Sequence, residues 1–279
     1  MTLREYYRVM AQELTKAGIE NGSFEAKQLC CFAFGISEKE LLLSQEQLSG
    51  AQRQKAEVLL QKRCGGMPLQ YLLGEWEFFS LPFFVGEGVL IPRQDTETLC
   101  EAALSCLHGK QGQKVIDLCS GSGCIAVTLD HYAPGNQVYA LEKSKKALTY
   151  LNRNRKRNHS GIKIIEDDVL CPKTGESGFD VICSNPPYLS GKDMQKLQKE
   201  VSFEPEMALY APNGGYYFYE EITRIWKDRL NPGGMLFYEI GMGQEERVSQ
   251  ILANNCFQNI CFEKDICGII RVVYAQKGQ

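Results

Sequence analysis

Val115-Ile116-Asp117-Leu118-Cys119-Ser120-Gly121-Ser122-Gly123-Cys124-Ile125-Ala126 runs from an apolar strand-like segment through a turn of small residues into the start of a helix. Gly121 and Gly123 allow a tight turn and let a ligand approach the backbone, while the helix that follows presents free N–H groups. Gly121-x-Gly123-x-x-Ala126 also satisfies a dinucleotide fingerprint, and Glu142 stands at the distance expected of a ribose-binding carboxylate. The pattern says nucleoside cofactor without saying which.

From residue 114 onward, strand-like and helical stretches alternate. Strands are expected at Lys114–Leu118, Gln137–Leu141, Ile162–Glu166, Phe179–Cys183, Met235–Ile240 and Ile269–Ala275, with a helix at Tyr216–Leu230. Such alternation predicts an α/β fold, a doubly wound, mostly parallel sheet. Upstream, Leu3, Tyr7, Met10, Leu14 and Ala17 recur at helical spacing before Gly18, and a second pattern runs from Ala26 to Gly35. Ser37 and Glu40 form a capping box for a short helix, and a fourth pattern runs from Ala51 to Cys64. Residues 67–79 and 81–85, two aromatic-rich runs broken at Ser80, predict a β-hairpin. The expected organisation is a helical bundle over 1–66, a hairpin linker over 67–93 and a catalytic domain over 94–279.

The 279 residues are 44% hydrophobic and 23% charged, ordinary values for a globular chain. No apolar run is long enough to cross a bilayer and the N-terminus does not look like a secretion signal, so a cytoplasmic location is expected, without a membrane partner. The net charge of −3 argues against duplex nucleic acid as the main partner. Twelve cysteines are scattered; Cys30, Cys31 and Cys183 lie in apolar runs, and Cys256, Cys261 and Cys267 lack zinc-ligand spacing, so no metal is expected. Arg153-Asn154-Arg155-Lys156-Arg157 reads first as a solvated helix end, with an RNA contact as the minority reading.

The second informative stretch is Asn185-Pro186-Pro187-Tyr188, directly after the strand at Phe179. Proline has no donor and forces the residue before it into an extended conformation, so the ladder stops there. The polar tip stands beyond the carboxyl ends of the strands, where open α/β sheets bind ligands. The Asn185 side-chain oxygen and the Pro186 carbonyl are two acceptors suited to the two hydrogens of a planar amino group, and Tyr188 offers a flat wall. The motif resembles the signature of methyltransferases acting on amide or aromatic amine nitrogens. Asp117, at the strand tip, suits the cationic end of S-adenosylmethionine better than a pyrophosphate, although a turn carboxylate would look the same. Asp168 is placed to meet an adenine edge with Val169 on its face, unless Glu166-Asp167-Asp168 is a solvated turn.

The whole chain resembles the release-factor glutamine methyltransferase family. The match runs through Pro68-Leu69-Gln70-Tyr71-Leu72-Leu73-Gly74 with Phe78, Val89 to Glu97, Asp117 to Ala126, Asn185 to Tyr188, Glu204-Pro205 with Ala208-Leu209, and Asp265 to Gly268 before Arg271. The resemblance implies a class I methyltransferase domain that transfers a methyl group from S-adenosylmethionine to the glutamine of the Gly-Gly-Gln motif in peptide-chain release factors. The front bundle would dock the release factor, and a monomer is expected. The implied cofactor set is Asp117, Cys119, Ser120, Gly121, Ser122, Gly123, Glu142, Asp168, Val169 and Asn185. Asn185, Pro186 and Tyr188 are the implied catalytic groups and, with Pro187, the substrate contacts. Three features depart from the family pattern: Cys119 where glycine is usual, Gln94 where proline is common, and an aromatic run at 216–219. Alternatives are a ribosomal-protein glutamine or an adenine of nucleic acid as methyl acceptor, a nicotinamide-dependent oxidoreductase, and a binding module without catalysis.

Overall fold

A computed structural model describes residues 1–278. It divides into two compact units, Met1–Glu75 with Gln198–Phe203, and Trp76–Leu197 with Glu204–Gln279. The first unit is helical: α1 (Leu3–Lys16), α2 (Gly22–Phe34), α3 (Glu38–Leu43), α4 (Gly50–Cys64) and α5 (Leu69–Leu73). Capping boxes at Thr2/Glu5, Ser37/Glu40 and Ser49/Gln52 satisfy N–H groups that a helix start leaves free. On α1 the buried face is Leu3, Tyr6, Met10 and Leu14, so Tyr6 takes the inward place expected of Tyr7. Tyr7 instead stands at the surface, its hydroxyl 2.8 Å from that of Ser23. Arg63, only 2% exposed, is held by the carboxylates of Glu25 and Glu200.

The expected hairpin is shorter than its sequence run. Leu69–Leu73 is α5, closed by Gly74 in the left-handed region, and only β1 (Glu75–Phe78) and β2 (Leu81–Phe84) pair. Phe79 and Ser80 both take positive φ, 51° and 59°, as a two-residue turn matched to strand twist requires.

The larger unit is built on a seven-stranded sheet. In chain order it comprises α6 (Gln94–Leu107), β3 (Lys114–Leu118), α7 (Cys124–Tyr132), β4 (Gln137–Glu142), α8 (Lys145–Arg157), β5 (Lys163–Glu166) and β6 (Phe179–Ser184). Then come α9 (Gly191–Met194), α10 (Tyr217–Trp226), β7 (Leu230–Glu239), α11 (Glu245–Asn254), β8 (Phe257–Lys264) and β9 (Ile270–Lys277). The strand order is β5-β4-β3-β6-β7-β9-β8, parallel except where β9 runs antiparallel to both neighbours. The doubly wound, mostly parallel sheet and the N-terminal helices expected from the sequence are thus present.

Alternation along the strands explains the two faces. Val115, Val138, Ala140, Val181, Cys183 and Phe237 pack with α6, α7 and α8, while Ile116, Leu118, Tyr139, Leu141, Ile182, Leu236 and Tyr238 pack with α10 and α11. Both faces are buried, which is why these strands read as continuous apolar runs. β8 was not expected: only Phe257 in it is buried, so it lacks an apolar pattern. The order reverses at β3, whose neighbours are β4 and β6, and a ligand crevice is expected beyond the carboxyl ends at that point.

The basic run at 153–157 is not wholly solvated. Asn154 is fully buried and joins three segments: it accepts from the Phe84 amide at 2.7 Å and donates to the carbonyls of Phe84 and Ser122 at 3.1 and 2.9 Å. Arg153 stacks on the Phe84 ring, 4.2 Å from its centre.

Candidate active site

A cavity of about 350 Å³ opens at the switch point, within the size range of small-molecule sites. Its wall takes in the turn after β3 (Cys119 to Ser122), the tip of β4 (Leu141 to Ser144), the segment after β5 (Asp167 to Leu170), and Asn185 with Pro187 after β6. The linker Gly88 to Arg93, Thr96 of α6, and Met207, Tyr210, Tyr217 and Phe218 complete it.

The glycine turn is held by contacts on all sides. Gly123 has a φ of +83°, and a Cβ there would lie 2.2 Å from Leu151 Cδ1 of α8, so only glycine permits this packing. Cys119 also adopts a positive φ, 63°, a conformation costly for a residue with a Cβ. Burial pushes its thiol well up, with the Glu142 and Asp117 charges adding to the effect, so it stands in the wall as an uncharged, apolar group.

Glu142 is tied to the turn by geometry that suits a ribose. Its carboxylate accepts from the Gly121, Lys143 and Ser144 amides at 2.8, 2.9 and 2.7 Å. Since a carboxylate offers about four lone-pair sites, one remains for a ligand hydroxyl. Asp168 accepts from the Leu170 amide at 3.0 Å and from Lys143 Nζ at 2.6 Å. Burial alone would raise its pKa, but these hydrogen bonds outweigh burial and hold the group below the usual carboxylate value. Val169 is buried in the wall, its carbonyl fixed by the Trp226 indole N–H at 2.9 Å.

Asp117 does not reach the cavity, contrary to the direct cofactor contact expected of it. It is fully buried beneath the turn, accepting from the Ala126 amide at 3.3 Å, with Oδ1 unpartnered. Burial raises its pKa from 3.8 to about 8, against the hydrogen bond from the Ala126 amide and with help from the Glu142 charge. The folded state therefore holds a proton that the unfolded chain loses near pH 4, so the group's contribution to stability declines as pH climbs from about 4 to 8. Replacing Asp117 by Asn, neutral throughout, is expected to flatten the fall in melting temperature between pH 5 and 8. At pH 8 it should melt above the wild type; calorimetric scans at a series of pH values would check this.

After β6 the chain behaves as the proline pair demands. Asn185 Nδ2 donates to Thr96 Oγ1 at 3.3 Å, which leaves Oδ1 without a partner among the described residues. Pro186 is buried, its carbonyl accepting no hydrogen bond there. Neither Gly123, Pro186 nor Tyr188 lines the cavity, whereas Asn185 and Pro187 do. The Tyr188 carbonyl accepts from Gln244 Nε2 at 3.1 Å, and a Cβ on Gly215, whose φ is +97°, would meet that carbonyl at 2.3 Å. Leu189 exchanges backbone hydrogen bonds with Leu209 and Ala211 at 2.8 and 2.9 Å. The four-residue tip is thus fixed from both ends.

Three polar residues of the site escaped the sequence reading in this role. Glu204, 6% exposed, accepts from the Ile91 amide at 3.0 Å and pairs with Arg93, pinning the linker. Thr96, in the first turn of α6, accepts from the Asn185 amide at 3.3 Å. Glu239 is 2% exposed at the end of β7, and the Tyr188 hydroxyl donates to it at 3.4 Å. Its signal was available: a lone carboxylate closing an apolar strand.

Among known proteins, a family model described as the methyltransferase small domain matches residues 94–215, and one described as the PrmC N-terminal domain matches residues 5–74. A release factor glutamine methyltransferase from Thermodesulfovibrio yellowstonii is 35% identical over 259 residues, covering 91% of this chain and 92% of that protein. One from Geobacter sulfurreducens is 36% identical over 267 residues, 95% and 93% of the two chains. In fold, the chain is similar to a methyltransferase from Pyrococcus furiosus, with a TM-score of 0.55 at 17% identity over 81% of this chain and 99% of that one.

Proposed function

The chain belongs to the release factor glutamine methyltransferase family, and on that premise we propose that it methylates the glutamine of the Gly-Gly-Gln motif in a peptide-chain release factor, using S-adenosylmethionine. The observation that carries this reading is Asn185: its amide nitrogen is engaged by Thr96, so its free oxygen is offered at the cavity.

The cavity suits the cofactor on the chemistry of its donors. Glu142 keeps one acceptor position for a ribose hydroxyl, Asp168 presents an acceptor toward an adenine edge, and Leu141 and Val169 supply apolar walls. Asp117 acts at one remove, bracing the turn through the Ala126 amide. When bound, S-adenosylmethionine supplies an electrophilic methyl group on a sulfonium.

The residues after β6 address the weakness of the acceptor. An amide nitrogen is a poor nucleophile because its lone pair is delocalised into the carbonyl. The Asn185 side-chain oxygen, at the cavity, accepts one hydrogen of the glutamine NH₂, and the second is assigned to the Pro186 carbonyl, which has no hydrogen-bond partner among the described residues although Pro186 lies off the cavity wall; the pair aims the nitrogen and raises its electron density. Tyr188 supports the tip. Orientation of this kind can lower a barrier by roughly 7–11 kcal/mol, so no strong base is required before transfer. The nitrogen gains a carbon and then loses a proton to water. The helical unit, which exposes Phe24, Phe32, Leu43 and Val58, is assigned to docking a monomeric enzyme on the release factor in the cytoplasm.

Mass spectrometry of a purified release factor, after incubation with the enzyme and S-adenosylmethionine, tests the proposal. A gain of one methyl on the Gly-Gly-Gln glutamine is expected. No gain, with cofactor binding intact, would overturn the substrate and direct the search to ribosomal-protein glutamines.

A further inference from the structure

Gln244, the residue before the first turn of α11, lies outside the cavity wall but is tied to the tip that follows β6. Its Oε1 accepts from the Gly241 amide at 2.9 Å and from the Tyr219 hydroxyl at 3.2 Å, and its Nε2 donates to the Tyr188 carbonyl at 3.1 Å. Tyr219 is fully buried, and the same hydroxyl meets the Glu239 carbonyl at 3.0 Å. Glycines let these groups approach. A Cβ on Gly241 would lie 3.1 Å from Gln244 Oε1, and one on Gly215 would lie 2.9 Å from Gln244 Nε2. One side-chain amide thus joins the loop after β7, α10 and the tip after β6.

The neighbours dictate the polarity of that amide. Its two ends are nearly identical in shape, so hydrogen bonding decides which way it points. A backbone N–H can only donate and a backbone carbonyl can only accept. The oxygen must therefore face Gly241, and the nitrogen must face Tyr188. A carboxylate at this position could serve only the first, and a methionine, at best a weak acceptor, has nothing to offer the carbonyl.

The bond to Tyr188 matters because of what precedes it. Pro186 and Pro187 have no N–H, and among the described residues the Tyr188 carbonyl is the one backbone group of residues 186–188 that takes part in a hydrogen bond. Upstream the tip is tied through the Asn185 side chain to Thr96, and downstream through Leu189 to Leu209 and Ala211. Between those ties, the course of the diproline turn, and with it the direction of the Pro186 carbonyl, is set by the proline rings and by Gln244. We propose that Gln244 is a positioning residue for methyl transfer: its amide clamps the Tyr188 carbonyl and so aims the acceptor pair, Asn185 Oδ1 and the Pro186 carbonyl, at the substrate amide. The inference rests on the reading of that pair as the groups that hold the glutamine nitrogen. It also gives the last member of the aromatic run at 216–219 a task, since Tyr219 helps to orient the Gln244 amide.

The test measures kcat, and KM for a purified release factor, at saturating S-adenosylmethionine in the wild-type enzyme, Gln244→Met and Gln244→Glu, both variants being close to glutamine in volume. Gln244→Met loses the donor and leaves the tip loose, so kcat should fall about tenfold. Gln244→Glu keeps an acceptor for Gly241 but sets an oxygen against the Tyr188 carbonyl, and kcat should fall about a hundredfold, the scale of a reacting group misplaced by about 1 Å. KM and the calorimetric affinity for S-adenosylmethionine should stay at wild-type values, because Gln244 lies outside the cavity wall, and the retained affinity shows that both variants are folded. Wild-type kcat in either variant overturns the proposal: in Gln244→Met the clamp would be dispensable, and in Gln244→Glu accepting from Gly241 would be all that counts. A fall in kcat matched by an equal loss of cofactor affinity, or a rise in KM alone, overturns it too, by making the residue a support for the fold or for docking. Asn185→Ala separates the two layers: if it alone is impaired the clamp fails, and if it too is unimpaired the acceptor reading fails.

Discussion

Asn185→Ala is expected to lower turnover about a hundredfold, with affinity for S-adenosylmethionine within about twofold of the wild type, because misplacement of a reacting nitrogen by about 1 Å can cost that much. The variant removes the oxygen proposed to accept from the glutamine amide and leaves the backbone course unchanged, since Pro186 still fixes the extended conformation of residue 185. The part of the cavity wall proposed to hold the cofactor, by contrast, is the turn after β3 with Glu142 and Asp168. A loss confined to turnover is therefore the signature of a lost aim on the acceptor. Asn185→Asp sharpens the point: it keeps an oxygen but has no N–H for Thr96. It should be as impaired as the alanine variant. Methyl transfer at saturating substrate and calorimetric binding are the two measurements, and near-normal turnover by Asn185→Ala would remove this residue from the mechanism.

What the sequence disclosed and what it concealed divide along physical lines. Features carried by local rules were readable: Gly121 and Gly123 demand a turn, Asn185-Pro186-Pro187 ends a strand, and the strands buried on both faces are apolar throughout. Glu142 was readable because strand-end spacing puts it opposite the turn. Features that depend on long-range contact were not. Whether Asp117 points into the cavity or beneath the turn is decided by its distance from the Ala126 amide, which no spacing rule expresses. Asn154 is hidden inside a basic run because its two side-chain partners, Phe84 and Ser122, lie on β2 and the glycine turn, distant in sequence. Thr96 and Asn185 are separated by 89 residues, so their contact leaves no local trace. β8 was invisible for a different reason, its exposed surface giving no apolar alternation. The residues 69–73 were misread because Leu and Tyr suit a short helix as well as a strand, and Gly74, as a left-handed cap, settled it.

Arg63→Ala should cost the helical unit about 3–5 kcal/mol, the usual consequence of removing one member of a buried ionic cluster. Arg63 is almost fully enclosed, and it donates to both oxygens of Glu25 and to Glu200. Glu25 is only 13% exposed, so without the guanidinium it is left as a poorly hydrated, unpaired charge; Glu200, 43% exposed, can turn to water and adds little. The damage should accordingly be repaired at Glu25 and not at Glu200. Arg63→Met with Glu25→Gln, which fills the volume and removes the stranded charge, is expected to recover more than half the loss, whereas Arg63→Met with Glu200→Gln should recover almost none. Because every residue lining the cavity belongs to the other unit, affinity for S-adenosylmethionine should stay unchanged in all of these variants at temperatures where both units are folded. Denaturant melts combined with cofactor titration would check both statements. Equal recovery from the two double variants would show that the arginine acts by packing its chain rather than by neutralising Glu25.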